Sequence, residues 1–325
     1  MRLLDTHGRV LKDVRISVTP RCNLHCLYCH PLGLEMKDPP GTLGVEDVAY
    51  FLEAAALLGL SAVRFTGGEP LVRKELPQMI ERAHSTPGVE DVAITTNGLL
   101  FARRAKELVA AGLKRVNISI DAITPEVFRA LTRGGEVKRV WEAIERALEL
   151  GLHPVKLNAV VIRGMNELEA VPLARLTLDR PLHMRFIEYM HLDNSDPEEY
   201  KRRFVPGRET RARIEEAFGP LEPVPHDPSS PARVYRIQGA LGTVGFINPV
   251  TEPFCSHCSR LRLTSDKRLR PCLLTDLEMD IAWAFQAENP VEALVDAILI
   301  ATNRKPAFGN TLPTLRERVM VGIGG

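Results

Sequence analysis

Between Val14 and Met190 six short β-branched runs alternate with longer helical stretches, and that alternation confines the chain to βα units carrying a parallel sheet. The predicted strands are 14–19, 62–66, 92–97, 115–121, 155–162 and 183–189, with helices around 45–58, 73–85, 101–111, 137–150 and 166–178. Gly59, Gly112 and Gly151 stand where three of those helices should end. Buried parallel strands normally read as continuous Val, Ile and Leu, and these do not. Arg15, Ser17 and Thr19 share one face of the first strand, Arg64 and Thr66 of the second, Thr95 and Asn97 of the third. Asn117, Ser119 and Asp121 continue that face on the fourth strand, and Lys156 and Asn158 on the fifth. Val14, Ile16, Val18, Val63, Phe65, Val116, Ile118 and Ile120 take the opposite parity. An incompletely closed, six-stranded (β/α)6 barrel satisfies both faces. Helices cover the apolar parity, and the polar parity lines a wet lumen offering cations and hydrogen-bonding groups to a large polar ligand. The alternative, a bare sheet face with solvated Arg and Lys, is rare among parallel sheets.

Residues 193–231 break the pattern. Pro197, Pro206, Pro220, Pro223, Pro225, Pro228 and Pro231 crowd around one predicted helix at 208–218, which marks a linker. Beyond it, 234–238, 243–247, 260–264 and 268–272 are strand-like, and an amphipathic helix covers about 290–301. The expected organisation is an α/β partial barrel over 1–192 and a mainly-β extension over 193–325. A chain of 325 residues with 45% hydrophobic and 26% charged residues sustains a sizeable core and excludes a disordered, collagen-like or coiled-coil protein. The balance of 42 Lys+Arg against 41 Asp+Glu excludes a wholly basic nucleic-acid binder, although it can hide a local cluster. No apolar run reaches about 18 residues, and residues 1–12 alternate charge with short apolar pieces. Both features predict a cytoplasmic protein without a membrane partner. In that reducing compartment the six cysteines are expected as metal ligands or catalysts in place of disulfides.

Those cysteines form two triplets. Cys22, Cys26 and Cys29 follow the first strand directly, in Arg-Cys-Asn-Leu-His-Cys-Leu-Tyr-Cys29. Three clustered thiolates suit an iron–sulfur cluster with one iron left open, or a zinc site completed by His25 or His30. Cys255, Cys258 and Cys272 form the second triplet, and no cysteine pairs with Cys272 as a zinc ribbon would require. An auxiliary cluster with one open iron fits this set better than zinc recruiting His257. Arg260 and Arg262 alternate with Leu261 and Leu263 between these cysteines, so both guanidiniums project from one strand face, where their planar forks suit phosphate and purine acceptors.

The Cys-x3-Cys-x2-Cys spacing, with Tyr28 before its last cysteine, resembles the radical S-adenosylmethionine (SAM) superfamily, as does Gly67-Gly68-Glu69-Pro70 at the end of the second strand. The resemblance implies a [4Fe–4S] cluster whose open iron takes the amino and carboxylate groups of SAM, with Gly-Gly-Glu backbone groups and the Glu69 carboxylate holding the SAM amino group. Longer motifs run along nearly the whole chain: Arg-Ile-Ser-Val-Thr-Pro-Arg-Cys22, Ile-Thr-Thr-Asn-Gly98, Asn-Ile-Ser-Ile-Asp121, Lys156-Leu-Asn-Ala-Val-Val, Arg185-Phe-Ile-Glu-Tyr-Met190 and a terminal Gly324-Gly325. With the second cysteine triplet they resemble the GTP 3′,8-cyclase family of molybdenum-cofactor biosynthesis. Carried over position by position, the resemblance implies that Tyr28, Gly68, Ser119 and Met190 contact SAM. It gives Arg15, Arg64, Thr95, Lys156, Arg260 and Arg262 to GTP, a second [4Fe–4S] cluster to Cys255, Cys258 and Cys272, and a place in the active site to the Gly324-Gly325 tail. Arg260 and Arg262 would act with that tail in catalysis. A 5′-deoxyadenosyl radical would take hydrogen from C3′ of the ribose, and the resulting carbon radical would attack C8 of guanine.

Arg185 has the opposite parity to Met190, so a regular sixth strand aims only one of them into the lumen. Two residues depart from the family pattern. Ala62 replaces an expected lysine, and His30 replaces the methionine that usually follows the third cysteine. His30 is expected behind the cluster or facing solvent. The implied partners are an external electron donor and a downstream cyclic pyranopterin synthase, while a homodimer is compatible with the sequence without being fixed by it. Two competing readings are a radical SAM peptide-modifying enzyme and, from another class, a non-catalytic zinc-bearing scaffold or nucleic-acid module.

Overall fold

A computed structural model describes residues 2–30, 34 and 36–324. A short hairpin of β1 (Leu3–Leu4) and β2 (Val10–Leu11) precedes six strands: β3 (Asp13–Ser17), β4 (Ala62–Thr66), β5 (Asp91–Thr96), β6 (Arg115–Ser119), β7 (Val155–Val161) and β8 (Leu182–Glu188). They pair parallel in that order. The sheet extends beyond the predicted six. After β9 (Glu222–Pro223) and β10 (Arg233–Arg236), β11 (Thr243–Ile247) adds to β8 in parallel, and β12 (Arg260–Leu263) adds to β3 in parallel. With β13 (Arg268–Arg270) and β14 (Met279–Asp280) the order is β14-β13-β12-β3-β4-β5-β6-β7-β8-β11-β10-β9, a curved α/β sheet left open at two edges. The C-terminal segment therefore supplies strands to both flanks of the parallel array.

The apolar parity is buried as expected: Val14, Ile16, Phe65, Ile94, Val116, Ile118 and Leu157 are all fully excluded from solvent. Helices α1 (Val45–Leu57), α2 (Leu76–Ser85) and α3 (Phe101–Ala110) contribute to the covering layer. The sequence reading omitted α4 (Pro125–Thr132), which precedes α5 (Val137–Glu149). On α5, Val140, Ala143, Ile144 and Ala147 form a stripe at helical spacing against the sheet. The helix expected at 166–178 is shorter, a 3-10 turn running into α6 (Ala170–Arg175). Within the proline-rich stretch, α7 (Pro197–Arg203) precedes α8 (Gly207–Phe218) because Asp196 accepts the Glu198 and Glu199 amides and Pro197 opens the helix. Helices α9 (Pro290–Asn303) and α10 (Met320–Ile323) complete the fold. Among the described residues no helix is long and apolar enough to cross a membrane.

The joint that matters for the site lies at the end of β8. Glu188, almost fully buried, accepts the Gly207 amide at 2.8 Å and the Val250 and Thr251 amides at 3.0 Å, as well as the Thr251 hydroxyl. One carboxylate thus fixes the start of α8 and the segment leading toward Cys255 to the central sheet. Glu188→Ala leaves those donors without partners, at about 1–3 kcal/mol for a group left unsatisfied. Urea denaturation is expected to show a loss of that size. An unchanged midpoint would mean the joint carries no load.

Candidate functional site

The loops at the carboxyl ends of the parallel strands converge on one cavity of about 290 Å³, the place where α/β sheets bind ligands. Cys22, Cys26, Cys29, Cys255, Cys258 and Cys272 all line it. None is in a disulfide, and no histidine lines the cavity among the described residues.

The first triplet lies on a loop that α4 holds in place, since the His25 and Leu27 amides donate to the carbonyls of Thr132 and Leu131 at 3.3 and 3.0 Å. Gly68 and Glu69 grip the other side of the loop, donating to the carbonyls of Thr19 and Arg21 at 2.8 Å each. A Cβ on Gly68 would overlap the carbonyls of Pro20 and Arg21, so this approach requires glycine. The Asn97 amide donates to Cys22 Sγ at 3.8 Å, and the Tyr28 hydroxyl donates to Asp121 at 2.7 Å. Burial pushes the thiols up, Cys22 to about 11, and nearby carboxylates reinforce the shift. Thiolates form here only when a cation arrives to share their charge.

Glu69 of the Gly-Gly-Glu motif has a structural role of its own. Its carboxylate is fully buried and accepts from the Leu71 amide at 3.0 Å, the Thr96 hydroxyl at 2.8 Å and the Asn97 amide at 2.7 Å. Burial pushes it up to about 7. It ties the end of β4 to the end of β5, and Gly67 and Gly68 line the cavity in its place. The candidate zinc ligands also lie elsewhere. His257 is exposed and pairs with Ser256 at 2.9 Å, while His25 and His30 meet each other through their Nδ1 atoms at 2.6 Å. His30 is buried, contrary to the solvent-facing option.

The second triplet is braced by cations. Lys305 Nζ donates to the carbonyls of Arg260 at 2.8 Å and Pro271 at 2.6 Å, and Arg9 donates to the carbonyl of Cys255 at 2.9 Å. Burial raises the Cys258 thiol, but Lys305 and Arg260 outweigh it and leave the group below its ordinary value. Burial raises Cys272.

Between the triplets, Arg15, Arg64, Arg185, Arg260 and Arg262 line the wall. The Nε–H groups of Arg15, Arg64, Arg185 and Arg260 are buried with no partner, as are Ser17 Oγ and Asn158 Oδ1. Burial and mutual repulsion push Arg15 well below its ordinary value, Arg185 to about 9 and Arg262 to about 10. Asp13 stands in their field: burial raises it, but Arg64 and Arg15 more than offset that. Buried cations with unmet donors are costly unless an anion compensates them, so this wall is built for a polyanion.

Tyr28, Gly68, Thr95, Ser119 and Met190 also line the cavity. Arg185 and Met190 do so together, because β8 ends at Glu188 and strand parity no longer governs Met190. Lys156 has the lumen parity but lies off the cavity wall, where burial, Arg185 and Arg115 push it down to about 7. Gly324 reaches the barrel: its carbonyl accepts from Arg262 at 2.7 Å, its φ is +89°, and a Cβ would meet Ser17 at 2.9 Å. Gly325 lies outside the described residues. Lys305, Glu188 and Met320 line the cavity without having been anticipated. Glu188 lies inside the Arg185–Met190 motif but was given no role there, whereas Lys305 stands far from any motif.

The chain matches the Radical SAM superfamily over residues 16–177 and Molybdenum Cofactor Synthesis C over residues 182–310. It is 44% identical over 324 residues to the GTP 3′,8-cyclase of Pelotomaculum thermopropionicum, covering 99% of each chain. It is 45% identical over 325 residues to that of Alkaliphilus metalliredigens, again covering 99% of each. The chain belongs to the GTP 3′,8-cyclase family. Streptococcus suis SuiB bound to S-adenosylmethionine shares the fold, with a TM-score of 0.64 at 14% identity over 94% of this chain and 68% of that one. The thiol-only sets fit the iron–sulfur clusters of a radical SAM cyclase family better than zinc.

A polyanion held on the arginine wall in front of Lys156 would favour its ammonium form, so binding would take up a proton and weaken as pH rises through about 7. Inorganic triphosphate is expected to raise the thermal midpoint more at about pH 6.5 than at about pH 8.5, and Lys156→Met to remove most of that difference. Stabilisation that grows with pH in the wild type alone would contradict the assignment.

Proposed function

We propose that this protein is a radical SAM GTP 3′,8-cyclase, converting GTP to (8S)-3′,8-cyclo-7,8-dihydroguanosine 5′-triphosphate in molybdenum-cofactor biosynthesis. The observation that carries the reading is that two thiol triplets and a buried arginine cluster with unpartnered Nε–H groups line one cavity. In this reading Cys22, Cys26 and Cys29 hold a [4Fe–4S] cluster that SAM completes, and Tyr28, Gly68, Ser119 and Met190 hold SAM. Cys255, Cys258 and Cys272 hold a second [4Fe–4S] cluster on the substrate side. When bound, the first cluster and SAM supply the 5′-deoxyadenosyl radical that removes hydrogen from the ribose.

The protein's own work is positioning. Arg15, Arg64, Arg260 and Arg262 neutralise the triphosphate, with Lys156 behind them and Thr95 as a hydrogen-bonding contact. Held at both ends, the nucleotide presents C3′ of the ribose to C8 of its own base, so the new carbon–carbon bond closes within one molecule. Arg262 also grips the Gly324 carbonyl, which makes Gly324 part of the wall that orients the substrate and excludes water. An external reductant and a downstream cyclic pyranopterin synthase complete the route, and a cytoplasmic location follows from the same reading.

Anaerobically reconstituted protein is expected to hold about eight irons, two clusters of four, and to release 5′-deoxyadenosine from SAM in a GTP-dependent manner. Full iron loading without GTP-dependent turnover would remove the cyclase reading. Charge reversal at Arg260 and Arg262 should weaken GTP binding by at least about tenfold, or roughly 1.4 kcal/mol, with SAM binding nearly unchanged. Equal losses would contradict the division of the site.

A further inference from the structure

The two thiol triplets differ in the charges built around them. Near the first, the charged side-chain groups acting on the thiols besides the thiols themselves are carboxylates: Glu69 on Cys22, Asp121 on Cys26, and Asp121 and Asp193 on Cys29. Near the second they are cations. Lys305, 3% exposed, donates to the carbonyl of Arg260, two residues beyond Cys258, and to the carbonyl of Pro271, the residue before Cys272. The same ammonium lowers the Cys258 thiol. A single ammonium thus joins the two chain segments that bring the second set of thiols together. Lys305 is itself held from behind: Arg9 donates to the carbonyls of Pro306 at 2.7 Å and Ala307 at 3.1 Å, and with the same guanidinium to Cys255. No carboxylate forms an ion pair with Lys305 among the described residues, so its charge is left to act on the thiols.

We propose that Lys305 is a positioning residue for the second metal site: its ammonium fastens the Cys255–Cys258 segment to Cys272 and sets a fixed positive charge against them, so that a cluster held there takes up an electron more readily than one held by Cys22, Cys26 and Cys29. The physical basis is electrostatic. Adding one electron makes a thiolate-ligated cluster more negative, and a cation in a poorly screened interior stabilises that state, while carboxylates oppose it. The proposal rests on the second triplet holding an iron–sulfur cluster. A wild-type protein that takes up only the first cluster would refute that assignment itself.

The test is a potentiometric titration of the reconstituted holoenzyme with dithionite as the electron source, followed by electron paramagnetic resonance. SAM identifies the signal of the first cluster by perturbing it. In the wild type the SAM-insensitive signal is expected to appear at the higher potential. In Lys305→Met the ratio of reduced to oxidised second cluster, read at the wild-type midpoint, is expected to fall at least about tenfold, equivalent to about 59 mV for a one-electron couple. Lys305→Arg, which keeps the charge, should recover most of that loss, and the first cluster should not move in either variant. A Lys305→Met protein with both clusters and an unchanged midpoint overturns the proposal. If Lys305→Met loses the second cluster, iron falls from about eight to about four. Recovery of that iron in Lys305→Arg then supports the proposal, and failure of Lys305→Arg to recover either iron or potential counts against it.

Discussion

Five guanidiniums on the inner face of one sheet, with Asp13 standing in their field, are the constraint around which this fold is organised. Burying cations without counterions opposes folding, and the sheet tolerates it because the alternate residues of the same strands are fully excluded among helices. Val14, Ile16 and Phe65 are neighbours in sequence of Arg15 and Arg64, and they face the opposite way. The pleat therefore lets a few residues serve stability and binding at once. The remaining electrostatic debt is relieved only by a polyanion, and this couples nucleotide recognition to the stability of the barrel.

The C-terminal segment contributes more than a lid. Strand β12 lies beside β3, placing Arg260 and Arg262 in register with Asp13 and Arg15, so the arginines between the second cysteines join those of the first strand on one wall. On the opposite flank β11 extends β8, and Glu188 secures the segments that follow. Arg318, which pairs with Asp266 and Glu278, anchors the chain just before α10, and from there Gly324 enters the barrel.

Much of this was legible in the sequence because it depends on period-two parity and short-range spacing. The polar face that runs from Arg15 to Asn158 and both cysteine triplets could be read directly, and the structure brings both triplets and most of that face, though not Lys156, to one cavity. What escaped depends on contacts between distant segments. Helix α4 is only eight residues long, yet its carbonyls hold the first cysteine loop; its Thr-Pro-Glu start was the available signal. Lys305 carries no motif, and its role exists only because Arg260 and Pro271 come together in space. The motif reading of Glu69 missed that its carboxylate is spent on amides and a hydroxyl at the end of β5. Parity misjudged Met190 because the strand stops before it.

The central claim is geometric: two three-thiol sites, each unable to saturate a four-iron cluster, open on a common chamber. Iron anomalous scattering from crystals of anaerobically reconstituted protein soaked with SAM and GTP addresses it most directly. The account requires two iron centres, one bonded to Cys22, Cys26 and Cys29 and the other to Cys255, Cys258 and Cys272, with the nucleotide between them. A centre completed by a fourth protein side chain, or one turned away from the cavity, would contradict it.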